Sequence, residues 1–126
     1  MWKVVLRRSF SAAHQLRGNF GACERMHGHN WKVEVSLAGT ALNAHGLLMD
    51  FRDLDHHLAE VLSKWDHTVL NELPDFQERN PSCENLTYVL FQDLKKRLAP
   101  LASVWVSKVE IFETDACSTS YEEPAP

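Results

Sequence analysis

The chain has 126 residues, 44% hydrophobic and 24% charged, a globular composition that argues against disorder and fits one domain. Its 13 Lys plus Arg against 17 Asp plus Glu give a net charge of −4, unsuited to non-specific nucleic-acid binding. No apolar run approaches the ~20 residues of a membrane span, the opening Met1-Trp2-Lys3-Val4-Val5-Leu6-Arg7-Arg8 is too short for a signal-peptide core, and three cysteines cannot all pair within the chain, so a cytoplasmic protein with free thiols is expected.

In chain order, Trp2 to Phe10 alternates Trp2, Val4, Leu6 and Phe10 with Lys3, Arg7 and Ser9, the period of a strand. Residues 15–26, with Gly18, Asn19 and Gly21, read as a loop. Trp31, Val33, Val35 and Leu37 alternate with Lys32, Glu34 and Ser36 in a second strand that Gly39 ends. Asp50 caps a helix whose apolar stripe is Phe51, Leu54, Leu58, Val61, Leu62 and Trp65; Arg52, Asp53, His56, Glu60 and Lys64 form its polar face. Residues 66–81 are irregular, with Pro74 and Pro81. A second helix from Ser82 to Leu98 carries Leu86, Val89, Leu90, Leu94 and Leu98, with Ser82 as its cap and Lys95-Lys96-Arg97 at the dipole's negative end. Ser103 to Thr114 returns to a strand, and residues 121–126 are expected to fray. Residues 1–120 thus predict one α+β domain: antiparallel strands, two helices on one face, the other face left for another subunit.

Seven His in so short a chain is the unusual count. In Cys23-Glu24-Arg25-Met26-His27-Gly28-His29, an extended backbone puts His27 and His29 on one side. His14, at the end of the first strand, offers a third imidazole. Three neutral imidazoles and an open position form a catalytic zinc arrangement. A lone His is more often a surface or core residue, but H-x-H with a third His and a nearby Cys favours a metal. Cys23 as a fourth ligand, closing the site, stays open on spacing. Asp66-His67 fits either a general base with its carboxylate or a helix-end His. Glu113, at a strand end, fits either a solvated carboxylate or one paired with an amidine-like ligand edge.

Several pieces in order resemble the 6-pyruvoyltetrahydropterin synthase / 6-carboxytetrahydropterin synthase family. They are Phe10-Ser11-Ala12-Ala13-His14; Cys23 to His29 with Asn30-Trp31; Gly46-Leu47-Leu48-Met49-Asp50-Phe51; Asp66-His67 with Leu70-Asn71; Pro81-Ser82-Cys83-Glu84-Asn85; and Glu113-Thr114 with Tyr121. The resemblance implies a tunnelling fold, a four-stranded antiparallel sheet with two helices on one face. It implies trimers closing a barrel, two trimers stacking into a homohexamer, and active sites between subunits. The implied substrate is 7,8-dihydroneopterin triphosphate and the implied cofactor Zn2+ on His14, His27 and His29. Cys23 would carry the proton, Asp66 and His67 would form the relay, and Glu113 would anchor the pterin. Ser82 stands where the family usually has Thr, keeping a hydroxyl for substrate. Cys23 four residues before His27 is similar to the carboxytetrahydropterin-forming branch of queuosine synthesis. Glu24 three before it is similar to the 6-hydroxymethyldihydropterin-forming folate branch, so a bifunctional lyase is among the implied readings. Other classes remain at this stage: a closed-site zinc-binding structural oligomer, and a metal-free pterin aldolase or epimerase. Arg17, Arg25 and Lys32 are the nearby cations in sequence for a triphosphate.

Overall fold

The structure is a computed structural model that describes residues 1–18 and 25–126. The elements are β1 (Trp2–His14), β2 (His27–Gly39), α1 (Phe51–Leu62), β3 (Thr68–Val69), α2 (Cys83–Leu98), β4 (Trp105–Thr114) and β5 (Cys117–Glu122). Two single-turn 3-10 segments, Leu70–Glu72 and Pro74–Phe76, fill the loop before α2. Neither helix is long and apolar enough to cross a membrane.

The sheet order is β3-β1-β2-β4-β5. β1 and β2 pair antiparallel over their full length, from Trp2 opposite Gly39 to His14 opposite His27. β4 pairs antiparallel with β2, and β5 with β4. The two-residue β3 adds in parallel to the end of β1, Thr68 opposite Ala12. The sheet is therefore five-stranded and mixed, with β3 appended to the expected four antiparallel strands. Two residues have no readable period, which hid β3 from sequence.

Alternation decides which face is buried. Phe10 and Ala12 of β1, Trp31, Val33, Val35 and Leu37 of β2, and Val109 and Ile111 of β4 are buried. They share one core cluster with Leu54 and Leu58 of α1 and Leu86, Leu90 and Leu94 of α2. The opposite face is open to solvent: Arg7 Nε donates to Glu34 at 2.6 Å there, and the apolar Val5 is exposed beside them. The helices start where their caps dictate. Asp50 Oδ1 accepts from Arg52 N at 2.8 Å, and Ser82 Oγ from Asn85 N at 3.1 Å. Gly39 marks a close approach; a Cβ there would lie 2.5 Å from the Ser103 carbonyl.

Two expectations change. α1 ends at Leu62, yet Trp65 is fully buried from the turn beyond, its Nε1 donating to Asp75 at 3.3 Å. Helical spacing captured its burial but not its conformation. Of the tail expected over residues 121–126, residues 123–126 lie outside any element, whereas Tyr121 and Glu122 end β5, with Tyr121 opposite Val109. Its ring packs on Phe91 and Tyr88 at centroid distances of 4.9 and 5.1 Å, and Gln92 and Lys95 of α2 donate to Glu123. Polar residues on half of β5 had hidden its strand period.

Candidate metal centre and its surroundings

The pairing of β1 with β2 brings three imidazoles together. His14 stands directly opposite His27, and His29 is two residues along β2 on the same face. All three rings follow the core-facing alternation of Phe10, Ala12 and Trp31, at the end of β1 and the start of β2. His14 lies 4.7 Å from His27 and 5.3 Å from His29, and His27 lies 4.7 Å from His29, between ring centroids. Trp31 is the floor of the cluster. Fully buried, it meets His14 and His29 edge-on at 5.0 and 5.1 Å and stacks on Phe10 below. Its Nε1 donates to the Ala12 carbonyl at 3.2 Å, so its ring is fixed as well as buried.

Backbone carbonyls orient two of the rings. His14 Nδ1 lies 2.7 Å from the Pro81 carbonyl, and His27 Nδ1 lies 2.6 Å from that of Arg25. A carbonyl only accepts, so both Nδ1 atoms must carry hydrogen. Rings so held turn their other nitrogens, the two Nε2 atoms, on one another across 3.1 Å. His29 Nε2 is buried without a hydrogen-bond partner among the described residues. Burial lowers the His29 pKa, the Glu113 carboxylate opposing it, so this imidazole favours its neutral, ligating form. Lone pairs converging on one point, with carbonyls behind the rings, fit a divalent cation such as zinc.

Glu113 completes the group. It follows Val109 and Ile111 in the alternation of β4, and its Oε1 lies 3.2 Å from His14 Nε2 and 3.6 Å from His29 Nε2. One ligand atom from each of His14, His27, His29 and Glu113 falls within 4.8 Å of the others. Nothing in the local pattern around Glu113 connects it to the imidazoles; its parity in β4 does so once the β2–β4 register is known.

Asp66 and His67 sit elsewhere, on the outer edge of β1. Ser11 N donates to Asp66 Oδ1 at 2.9 Å, and His67 N donates to the Ser11 carbonyl at 2.6 Å. Ser11 first, then His67, holds the Asp66 carboxyl below the usual carboxylate range. His67 Nδ1 lies 2.8 Å from Asp66 Oδ1, with 81% of the His67 side chain exposed. Its backbone is left-handed, φ 60°. It borders a shallow depression of about 360 Å³ with Ser11, Ala13, Gly28 and Asn30. Asp66 and His67 are thus not gathered into the ring of imidazoles that holds His14.

Ser82 is occupied as the cap of α2. Cys23 and Glu24 lie outside the described residues. Of the cations, Arg17 is exposed and donates to the Phe76 and Gln77 carbonyls, and Lys32 pairs with Asp115. Cys83 donates from Sγ to the Ile111 carbonyl, and burial pushes its thiol pKa up, as for an unreactive core cysteine. Sequence reasoning missed the carbonyls of Pro81 and Arg25, because no side-chain pattern reports where a backbone oxygen points.

Comparison with known proteins covers nearly the whole chain. A family profile described as 6-pyruvoyl tetrahydropterin synthase matches residues 3–124. A putative 6-carboxy-5,6,7,8-tetrahydropterin synthase of Archaeoglobus fulgidus is 40% identical over 85% of this chain and 88% of its own. The human 6-pyruvoyl tetrahydrobiopterin synthase is 32% identical over 90% of this chain and 86% of its own. The structure of Caenorhabditis elegans 6-pyruvoyl tetrahydropterin synthase superposes with a TM-score of 0.83 at 29% identity, covering 98% of both chains.

Proposed function

Because the chain belongs to the 6-pyruvoyl tetrahydropterin synthase family, we propose that it is a zinc-dependent 6-carboxy-5,6,7,8-tetrahydropterin synthase. Its substrate would be 7,8-dihydroneopterin triphosphate, and its products 6-carboxytetrahydropterin, acetaldehyde and triphosphate, on the route to queuosine. The observation that carries the metal-dependent reading is the convergence of three imidazole Nε2 atoms, two with their Nδ1 atoms committed to carbonyls. The product assignment is supported by the 40% identity to a relative of that name and by Cys23 four residues before His27.

The chain's residues divide the chemistry. His14, His27 and His29 would hold zinc, which when bound polarises substrate hydroxyls and lowers their pKa. Cys23 would take and return a proton at the substrate side chain as its thiolate. Asp66 fixes the orientation of His67 through Nδ1, leaving Nε2 free to exchange a proton with substrate or solvent. Glu113 would accept hydrogen bonds from the aminopyrimidine edge and so set the ring's register. Trp31 closes the inner side of the site to water. Proton movements along the side chain expel triphosphate, and carbon–carbon cleavage that consumes one water, whose oxygen enters the new carboxylate, releases acetaldehyde with no redox cofactor. Active sites shared between subunits of a hexamer, a dimer of trimers, would let the exposed Asp66–His67 pair face a neighbour's imidazoles.

The test is product analysis by mass after incubating the zinc-loaded protein with 7,8-dihydroneopterin triphosphate. Acetaldehyde with 6-carboxytetrahydropterin is expected. 6-Hydroxymethyldihydropterin would shift the assignment to the folate branch with Glu24 active, and 6-pyruvoyltetrahydropterin to the third branch.

One observation favours a second reading. Glu113 stands 3.2 Å from His14 Nε2, where a fourth ligand would close the site as a structural centre. Glu113→Gln separates the two: a pterin anchor leaves zinc content unchanged and raises KM, whereas a closing ligand takes metal affinity with it.

A further inference from the structure

His14 has two ways to place its single proton when neutral. From Nδ1 it donates to the Pro81 carbonyl at 2.7 Å. From Nε2 it would donate to Glu113 Oε1 at 3.2 Å or His27 Nε2 at 3.1 Å, and the lone pair needed by a metal would then point at a carbonyl oxygen. The ring is 1% exposed, so water does not arbitrate. The position of one backbone oxygen decides whether the residue can ligate.

That oxygen is held from both sides. The α2 ladder begins one residue later, Leu86 N donating to the Ser82 carbonyl at 2.9 Å, which leaves the Pro81 carbonyl outside the helix. Before Pro81, the Asn80 side chain forms a two-bond clasp with the Arg17 backbone. Arg17 N donates to Asn80 Oδ1 at 2.7 Å, and Asn80 Nδ2 donates to the Arg17 carbonyl at 2.8 Å. This anchors the 80–82 segment to the chain leaving His14. After Pro81, Asn85 reaches back twice. Its backbone N donates to Ser82 Oγ at 3.1 Å, and its Nδ2 donates to the Asn80 carbonyl at 2.9 Å. The carbonyl before the Pro81 ring, that of Asn80, is thus fixed by the Asn85 amide, and the Asn80 side chain ties the same residue to Arg17; neither amide touches a metal ligand.

We propose that Asn80 and Asn85 are positioning residues of the metal centre: they hold the Pro81 carbonyl against His14 Nδ1 and so select the tautomer that turns Nε2 to the metal. The inference rests on the metal reading of the three-histidine cluster. Outer partners of this kind typically change metal affinity by roughly 10–100-fold when removed. Asn85→Asp keeps the shape and the cap but sets a carboxylate oxygen against the Asn80 carbonyl, which should swing the 80–82 peptide away.

The experiment reads two quantities on the full chain. Long-range proton–nitrogen spectra of the zinc-free protein report the tautomer of His14 directly. Competition with a chromophoric chelator gives the zinc dissociation constant. Wild type should show the Nδ1–H form; Asn85→Asp, and Asn80→Ala should that variant fail to fold, should shift it toward Nε2–H and weaken zinc about 10–100-fold. Asn43→Ala, which removes an equally bonded amide from the distant 43–47 turn, controls for general loosening and should change neither quantity. An unchanged tautomer with zinc affinity within about twofold of wild type overturns the proposal. Because the tautomer is read without metal, a wild type that binds no zinc would sink the metal reading while this measurement still decides the positioning.

Discussion

The imidazole cluster and the Asp66–His67 pair are both histidine sites hung from β1, and they are built in opposite ways. His14 is buried, floored by Trp31 and locked by a carbonyl. His67 is exposed and held mainly through its backbone and its neighbour's carboxylate. A ligand must be fixed before the metal arrives, since reorganising it would weaken binding. A proton carrier must be reachable and able to exchange. The contrast sets a buried group able to hold a metal ion on the core side of the sheet against an exposed carboxylate–imidazole pair on its edge, the division of labour that the proposed function requires.

Removing a ligand should have the largest effect. His14→Ala is expected to abolish zinc retention and cut turnover about 10³-fold or more, the several kcal/mol that metal activation supplies. Metal content and acetaldehyde release measured on one preparation check it, and retained zinc would show that His27, His29 and Glu113 suffice. His67→Ala should be next, lowering turnover by roughly 10²–10⁴-fold, the range for a general acid or base, with zinc content unchanged. If His67→Ala also lost zinc, the two regions would not be separate and the comparison would fail. Mixing His14→Ala and His67→Ala subunits sharpens it further. Recovery of activity in the mixed oligomer is expected if each site takes its imidazoles from one chain and its acid–base pair from another.

The two regions also differed in how far they could be read without coordinates. The alternation of Trp31, Val33, Val35 and Leu37 located β2, and parity then put His27 and His29 on its buried side. The partner His14 was suggested by its place at a strand end, and the register of β1 against β2 sets it opposite His27. Glu113 as a neighbour of the imidazoles needed the β2–β4 register, with Lys32 opposite Phe112, a long-range pairing that local pattern does not encode. Asp66-His67 was visible as a dipeptide, but its attachment was not. It hangs on backbone bonds to Ser11, 55 residues away from Asp66, and on a two-residue parallel β3 too short to show a period. The Tyr121 ring was buried by Phe91 and Tyr88 of α2, so polar residues beside it did not make the segment a loose tail.

A smaller effect concerns the backbone at His67. A non-glycine residue with φ near +60° carries strain of about 1 kcal/mol that glycine does not. The side chain is mostly exposed, so little packing is lost on truncation. His67→Gly should therefore be more stable than His67→Ala by roughly 1 kcal/mol in urea denaturation, both lacking the imidazole. Equal stabilities would mean that the 66–68 turn relaxes when the ring is removed, and that the ring itself holds the turn open.

The smallest effect is the acid dependence of Asp66, and its sign follows from its partners. The Ser11 N–H, and then His67, favour the charged carboxylate, so the folded pKa lies below the unfolded one. In acid the unfolded chain then binds more protons than the folded chain. The contribution is therefore complete above the ordinary carboxylate pKa of about 4 and fades as pH falls through the lower folded value. Asp66→Asn keeps an oxygen to accept from Ser11 N but never ionises. The stability gap between wild type and Asp66→Asn should be present at neutral pH and narrow progressively as pH falls below about 4, read as converging urea midpoints. Exposure and salt screening keep the gap small. A gap that persisted in acid would mean that the geometry of the Ser11 bond, rather than the charge, ties this edge of the sheet to β1, and that His67 gains orientation from Asp66 but no electrostatic support.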